Sequence, residues 1–370
     1  PPTQFVPPNS FTPPPPLPTP VNPPTTSSCI PAAPQTQTLS CPSGQTGSIT
    51  QTRTSSCPPG ASSPVWGSWQ TTSNTCEASY HPGGTITVGA PTVVIPHADI
   101  VKIALSEGAW IDASLSNFKI GNSMYWIKSD AYNTAKLTGP LDAPFGTTIW
   151  NSPTSNVFNV LPVLPIADGT RRGYWIVNAY QDTNGILAFV HVEYPRNPTP
   201  TTYDTGKTRI GLAWSTDNGD HFTYLGDIIS PYTDPATSNV QGSPYLIKDG
   251  YFYTYFNDDV CSPWESGNAV ARAPVSDVIA AARQGQVTPW KKYHNGGWES
   301  AGLGGNCSAI GAQGVTHSDA AFSTYTGKYY MITSRMNWGG QDTWIKLYES
   351  SDALNWTFKR AIVQESAAAV

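Results

Sequence analysis

Polar stretches along this chain are broken by short apolar runs, and one small unit recurs among them. It is a Gly turn followed by two or three aromatics that open an apolar run. It occurs as Gly121-Asn122-Ser123-Met124-Tyr125-Trp126, Gly173-Tyr174-Trp175, Asp249-Gly250-Tyr251-Phe252-Tyr253 and Gly327-Lys328-Tyr329-Tyr330. Glycine supplies the backbone freedom of a tight turn, and aromatic residues favour the strand that follows. Strands are predicted at Thr92–Ile95, Tyr174–Val177, the very apolar Ile186–Val190, Tyr251–Phe256 and Tyr329–Ile332. Ser276-Asp277 before Val278–Arg283 predicts one short capped helix on a loop. Elsewhere helical periodicity is weak.

A repeated hairpin of this kind predicts an all-β fold, a β-propeller, over residues 81–370. Such a fold gathers one strand end per blade at a central pocket. Five blades suit the length, because four would be unusually long. The fifth is expected from residues near 85–110, joined with the C-terminal strand to remove free edges.

Two segments predict hairpin turns of similar chemistry: Ser215-Thr216-Asp217-Asn218-Gly219-Asp220-His221-Phe222 and Ser350-Ser351-Asp352-Ala353-Leu354-Asn355-Trp356. Both place a turn-forming Ser-x-Asp before an aromatic anchor. The first resembles the Asp-box of sialidases, and the second resembles a turn of five-bladed glycosidases. Asp217 and Asp352 are therefore read as structural.

Residues 1–36 read as a linker. Pro13–Pro16 and Pro23-Pro24 favour extended polyproline II, no charged residue precedes Arg53, and the Ser/Thr/Pro mixture suits a semi-rigid stalk open to O-glycans. Residues 37–80 read as a small Cys-rich β module. Trp66 and Trp69, spaced by three, and Arg53 on an alternating polar strand accompany Cys41, Cys57 and Cys76. This resembles a thrombospondin type 1 repeat, with its order of elements shifted. The resemblance implies an Arg side chain interleaved with indoles, a stack that offsets a missing core.

The six cysteines (29, 41, 57, 76, 261 and 307) include no CxxC pair, so zinc and redox motifs are not indicated. An even count in a Ser/Thr/Pro-rich chain reads as disulfides in an oxidising compartment, and hence a secreted or cell-surface protein. Cys261 and Cys307 are expected to tie two loops. The other four allow three connectivities.

Charged residues are 12% of the chain and aromatics 11%, with 13 Trp and a net charge of −5. That balance argues against nucleic-acid binding and suits sugar contact. No run reaches the roughly 18 apolar residues of a membrane helix. The chain begins Pro1-Pro2 and reads as processed or truncated.

The main domain resembles the five-bladed β-propeller glycoside hydrolases of the arabinanase and xylosidase type. Asp112-Ala113-Ser114-Leu115 ahead of the Gly121–Trp126 hairpin follows the first-blade plan, which implies Asp112 as general base. The third-blade plan is Glu-Gly-Pro ahead of a Gly-aromatic hairpin. Here Gln241-Gly242-Ser243-Pro244 precedes Gly250-Tyr251, so Gln241 stands where the resemblance implies the general acid. Gly314-Val315-Thr316-His317-Ser318-Asp319 matches the fourth-blade Gly-x-x-His-Ser, which implies His317 in the pocket. The second-blade Asp of that family has no clear counterpart.

Gln cannot serve as a proton-donating acid, so another carboxylate is needed if the pocket is catalytic. Glu193 ends the apolar strand from Ile186, and alternation puts His191 and Glu193 on one face. Desolvation at such a position is expected to raise a carboxylate pKa. Glycoside hydrolysis needs two carboxyl groups, about 5–5.5 Å apart for retention or about 6.5–9.5 Å for inversion. The candidates are Asp112 with Glu193, then Asp319; His317, His191 and Gln241 are expected to contact substrate. Trp110, Trp298 and Trp338, with Trp126 and Trp264, are candidate sugar platforms. Asp258-Asp259 is a candidate Ca²⁺ site, although no metal or cofactor is required.

The leading expectation is a secreted hydrolase of a polysaccharide, arabinan-like or another furanosyl polymer, tethered through its stalk. One alternative is a non-catalytic carbohydrate-binding adhesin, favoured by Gln241. The other is a sialidase-like enzyme, weakened by the scattered arginines.

Overall fold

The structure, a computed structural model, describes residues 29–42, 45–78, 84, 87–90, 114–121, 123–130, 133–139, 164–165, 171–195, 205–233, 238–263, 267–314, 318–335 and 342–365. The chain divides into two compact units, Pro1–Ser79 and Tyr80–Val370. Among the described residues no helix is long and apolar enough to cross a membrane.

In the first unit, Gln35–Ser40 (β1), Ser48–Arg53 (β3) and Gln70–Asn74 (β6) form a sheet in the order β1-β3-β6. Gln45–Thr46 (β2) pairs with Glu77–Ala78 (β7), and Ser55–Ser56 (β4) with Val65–Trp66 (β5). None of its described side chains is fully buried, so other forces must hold it. Disulfides Cys29–Cys57 and Cys41–Cys76 select one of the three connectivities. The Arg53 guanidinium lies over both indoles, 4.9 Å from Trp66 and 4.6 Å from Trp69. Its Nε and Nη2 donate to Gln35 Oε1 at 2.9 and 2.6 Å. Polar pairs such as Gln37 Nε2 to Gln51 Oε1 (2.8 Å) knit the strands where apolar packing is absent.

The second unit contains four antiparallel sheets that follow chain order. The first is Ser116–Ile120 (β8), Ser123–Asp130 (β9) and Asn133–Gly139 (β10). The second is Leu164–Pro165 (β11), Arg171–Asp182 (β12), Gly185–Pro195 (β13), Thr205–Ser215 (β14) and Thr223–Ile229 (β15). The third is Val240–Lys248 (β16), Tyr251–Asp258 (β17), Ala269–Pro274 (β18), Lys291–His294 (β19) and Gly297–Ala301 (β20). The fourth is Asp319–Ser323 (β21), Lys328–Arg335 (β22), Thr343–Ser350 (β23) and Thr357–Glu365 (β24). The Asp249-Gly250 turn joins β16 to β17 with φ of 51° and 78°, the left-handed pair that a two-residue hairpin requires.

Strand alternation explains how the sheets stack. On β13, Ala188, Val190 and Val192 face a cluster shared with Phe118 and Ile127 of the first sheet. Leu187 and Phe189 point the other way, into a cluster with Phe252 and Phe256 of the third sheet. Tyr253 and Tyr255 of β17 then pack with Met331 and Tyr348 of the fourth. The second and third sheets are thus buried on both faces, which is why their strands read as nearly continuous apolar runs.

The helix spans Val275–Ala282 (α1) and turns Val278, Ile279 and Ala282 into the core between β18 and β19. Its N-cap is Pro274 with no side-chain cap; the Ser276 hydroxyl bonds Asp277 Oδ1 at 3.0 Å instead. The expected Ser276 cap is therefore absent, because the cap position falls two residues earlier, at Pro274. Val275 N–H is satisfied by the Gly250 carbonyl at 2.9 Å. The expected fifth blade falls largely on residues outside the description. The C-terminal strand β24 pairs with β23 and completes the fourth sheet. Among the described residues the four sheets remain separate, and no closed propeller sheet is formed.

Candidate functional site

The first long strands of the four sheets lie side by side. β12 packs against β8 and β16, and β16 packs against β21. Hydrogen bonds pin these neighbours. Lys119 N–H of β8 donates to Gln181 Oε1 of β12 at 3.1 Å. Asn178 Nδ2 of β12 donates to the Ser243 carbonyl of β16 at 3.1 Å, and the Tyr245 hydroxyl returns a bond to the Ala179 carbonyl at 3.0 Å. The Ser114 hydroxyl, just ahead of β8, donates to the Ser318 carbonyl, just ahead of β21, at 3.4 Å. Hydrogen bonds thus join first to second, second to third and fourth to first, and the third meets the fourth by the packing of β16 on β21.

Asp319 opens β21 at this meeting point. Its side chain is exposed to water. Desolvation by the surrounding protein nevertheless raises its pKa above the ordinary 3.8, opposed by a 2.8 Å bond from the Ala320 N–H. Burial, and then the Asp319 charge, push the Tyr245 phenol above its usual range, so this pair is electrostatically joined across β16 and β21. Tyr245 is held flat against Phe189, with ring centroids 4.8 Å apart.

The Gln241 segment of β16 is irregular. Gly242 and Ser243 have φ of 108° and 122°, and the register against β17 slips between Gly242 and Tyr245. A bulge of this kind re-aims the strand that carries it. A serine in this region costs of order 1–3 kcal/mol, offset here by the Asn178 bond and by contact of Ser243 Oγ with Thr254 Oγ1 at 3.3 Å. Gln241 itself is half-buried, opposite Asn257.

His191 and Glu193 share a face as alternation predicts, with His191 Nε2 3.2 Å from Glu193 Oε1. Both are half-buried, and the Trp175 and His191 rings meet in a T-shaped pair with centroids 5.7 Å apart. They stand on β13, between β12 and β14, one strand away from the β12–β16–β21 junction. Directly opposite Glu193 in the sheet lie Gly173 and Thr208. Asp112, Trp110, His317, Trp264 and Trp338 lie outside the described residues. Trp126 is half-buried on β9.

Trp298 lies on strand β20. Its ring meets Tyr253 edge-on at 5.4 Å and carries the Arg272 guanidinium at 4.2 Å. Asp258 and Asp259 do not form a shared cation site. Asp258 is fully buried and accepts the N–H groups of Tyr232, Val260 and Cys261 at 3.1, 2.9 and 3.3 Å, with Lys292 Nζ at 3.4 Å. Asp259 is instead bonded by Asn239 N and Nδ2, both at 3.0 Å. The ammonium and the three N–H groups supply the positive charge that a metal would bring. The Cys261–Cys307 disulfide closes beside this centre and ties two loops as expected.

Both Ser-x-Asp turns have the expected form. Ser215 Oγ donates to Asp217 Oδ1 at 2.8 Å, and Ser350 Oγ to Asp352 Oδ1 at 2.9 Å. Each leads to a buried aromatic anchor, Phe222 and Trp356. The Asn178, Ser243 and Tyr245 junction was not foreseen. Its one sequence signal is Gly-Ser-Pro interrupting an alternating strand.

No protein-family model matches the chain, and no curated protein matches it. Solved structures of similar outline include the GH43_1 enzyme from Xanthomonas citri complexed with xylose. It is 13% identical, with a TM-score of 0.42, covering 72% of this chain and 78% of that one. An endo-1,4-β-xylanase from Bacteroides thetaiotaomicron is 12% identical, with a TM-score of 0.41, covering 89% and 94%. An exo-β-1,3-galactanase from Clostridium thermocellum is 12% identical, with a TM-score of 0.38, and the match spans 67% of this chain and 48% of that protein. At these scores the likeness decides neither the fold nor the activity of this chain.

Proposed function

We propose that residues 80–370 form a β-propeller glycoside hydrolase acting on a polysaccharide, with its chemistry where the first strands meet. Four meander sheets, stacked in chain order and linked in a circuit, support the propeller reading. The observation that carries the functional reading is Asp319, a solvent-reached carboxylate whose pKa desolvation raises. A general acid needs that property, since it must hold its proton until the leaving oxygen takes it. Asp112 is the proposed partner; the Ser114–Ser318 bond ties its chain neighbour to that of Asp319. Glu193, already engaged with His191, is the alternative partner. The polymer is arabinan-like or another furanosyl glycan. Three disulfides suit a secreted or surface protein, and the Trp66–Arg53–Trp69 stack supports a thrombospondin type 1-like module beside a Pro-rich stalk.

The test is release of reducing ends from a panel of plant and bacterial polysaccharides, wild type against Asp319→Asn, Asp112→Asn and Glu193→Gln. Turnover unchanged in all three variants sinks the assignment. A second reading, a carbohydrate-binding module without turnover, is favoured by Gln241 in place of an acid. Glycan-array binding with no product release would support that reading over the first.

A further inference from the structure

Among the described residues, Arg53 and Arg272 are each sandwiched by aromatic rings, and they differ in one respect. Arg53 is closed: its Nε and Nη2 both bond Gln35. Arg272, on β18, is clamped in the same way, with its guanidinium 4.5 Å from the Tyr251 ring, 4.2 Å from Trp298 and 6.0 Å from Tyr253. Among the described residues its one hydrogen bond is from Nη1 to the Tyr253 hydroxyl at 3.1 Å. Among the described residues no carboxylate pairs with it. Tyr251, Trp298 and the neighbouring Tyr293 are all half-buried, so the clamp is open to solvent. Its nearest charged strand neighbour is a cation, Lys291, directly across β19.

A guanidinium fixed by stacking has lost its rotamer freedom already, and its remaining N–H fork is preorganised for a planar anion. Nearby half-buried rings offer apolar faces to a sugar. We propose that the Arg272 clamp is a binding site for a carboxylated sugar, a uronic acid residue of an acidic polysaccharide. The site lies two strands out from β16, apart from the Asp319 junction. Its carboxylate takes the Arg272 fork, and Tyr293 with the Trp298 edge flanks the ring. It does not depend on whether the Asp319 junction cleaves anything.

The experiment is calorimetric titration of the full chain with oligogalacturonate, its fully methyl-esterified form, a neutral arabino-oligosaccharide and a sulfated neutral oligosaccharide. The expected result is binding of the free acid at least tenfold tighter than the methyl ester and the neutral sugar. Sulfate binding equal to or tighter than the acid would overturn the uronate assignment. Arg272→Gln, checked for native near-UV circular dichroism, is expected to lose at least tenfold in affinity, and Arg272→Lys most of that. Equal affinity for acid and ester on the wild-type protein would overturn the proposal, whatever the variants do.

Discussion

The Ser114 hydroxyl bonds the Ser318 carbonyl across 3.4 Å, although 204 residues separate them in sequence. The contact holds the start of the first sheet against the start of the fourth. It fixes the backbone two positions after Asp112 and one position before Asp319. A bond of this kind is local in energy and global in consequence, because it fastens the two ends of a stack whose other members are joined in series.

Asp319→Asn is expected to lower product release about 10²- to 10⁴-fold, the usual contribution of a general acid. The same change is expected to stabilise the fold at neutral pH. The Asp319 pKa is raised, so the native state holds its proton longer than the unfolded chain. Stability therefore falls as pH rises from 3.8 through the raised value. The variant removes that loss. Urea unfolding at pH 7 and below pH 4 checks it: the gain should appear only at the higher pH.

Asp352 predicts the opposite sign. It accepts the N–H groups of Leu354 and Asn355 at 2.9 and 2.7 Å, and its pKa drops from 3.8 to about 2. A lowered carboxylate contributes stability that is present above pH 3.8 and lost as pH falls through about 2. The drop corresponds to roughly 2 kcal/mol at about 1.36 kcal/mol per pKa unit. Asp352→Asn should lose about that much at pH 7 and nothing relative to wild type well below pH 2. A pH series of unfolding free energies decides it.

These two aspartates also mark what was legible beforehand. Ser-x-Asp before an aromatic announces its turn, because every partner of Asp352 lies within three residues. Three of the Gly-aromatic hairpins, turning at Gly121, Gly250 and Gly327, were legible for the same reason, whereas Gly173 lies within β12 and pairs with Glu193 instead of forming a turn. The strand runs from Tyr174, Ile186, Tyr251 and Tyr329 were legible because alternation and apolar content are written locally. Buried cations were not. Lys292 is fully buried, yet its partners are the carbonyls of Ser230 and Gly305 at 2.7 and 2.8 Å and the Asp258 carboxylate. Those groups come from three separate segments, and a hydrophobic pattern scores a lysine as surface. The junction of Asn178, Ser243 and Tyr245 was hidden likewise, since main-chain carbonyls carry no sequence signal.

Arg53→Ala is expected to loosen the first unit selectively. Two cation–π contacts, each contributing about 0.5–1 kcal/mol, are lost together with two bonds to Gln35. Hydrogen exchange in the full chain should accelerate in peptides covering residues 35–74. Peptides covering β16 and β17 should be unchanged. Faster exchange in both regions would contradict a role confined to the stack.

Lys292 sets the last expectation. Desolvation lowers its pKa from 10.5 to about 8, and the Asp258 charge resists the shift. The native state therefore binds fewer protons than the unfolded chain between those values, so stability should rise as pH climbs from about 8 towards 10.5. Lys292→Met is expected to cost about 3–5 kcal/mol, because it leaves the Asp258 carboxylate buried without its cation. Adding Asp258→Asn to that variant removes the stranded charge, and the double variant should recover part of the loss. Urea titrations with the Cys261–Cys307 disulfide intact measure both terms. A double variant less stable than Lys292→Met alone would show that Asp258 acts through the N–H groups of Val260 and Cys261, with the ammonium contributing little.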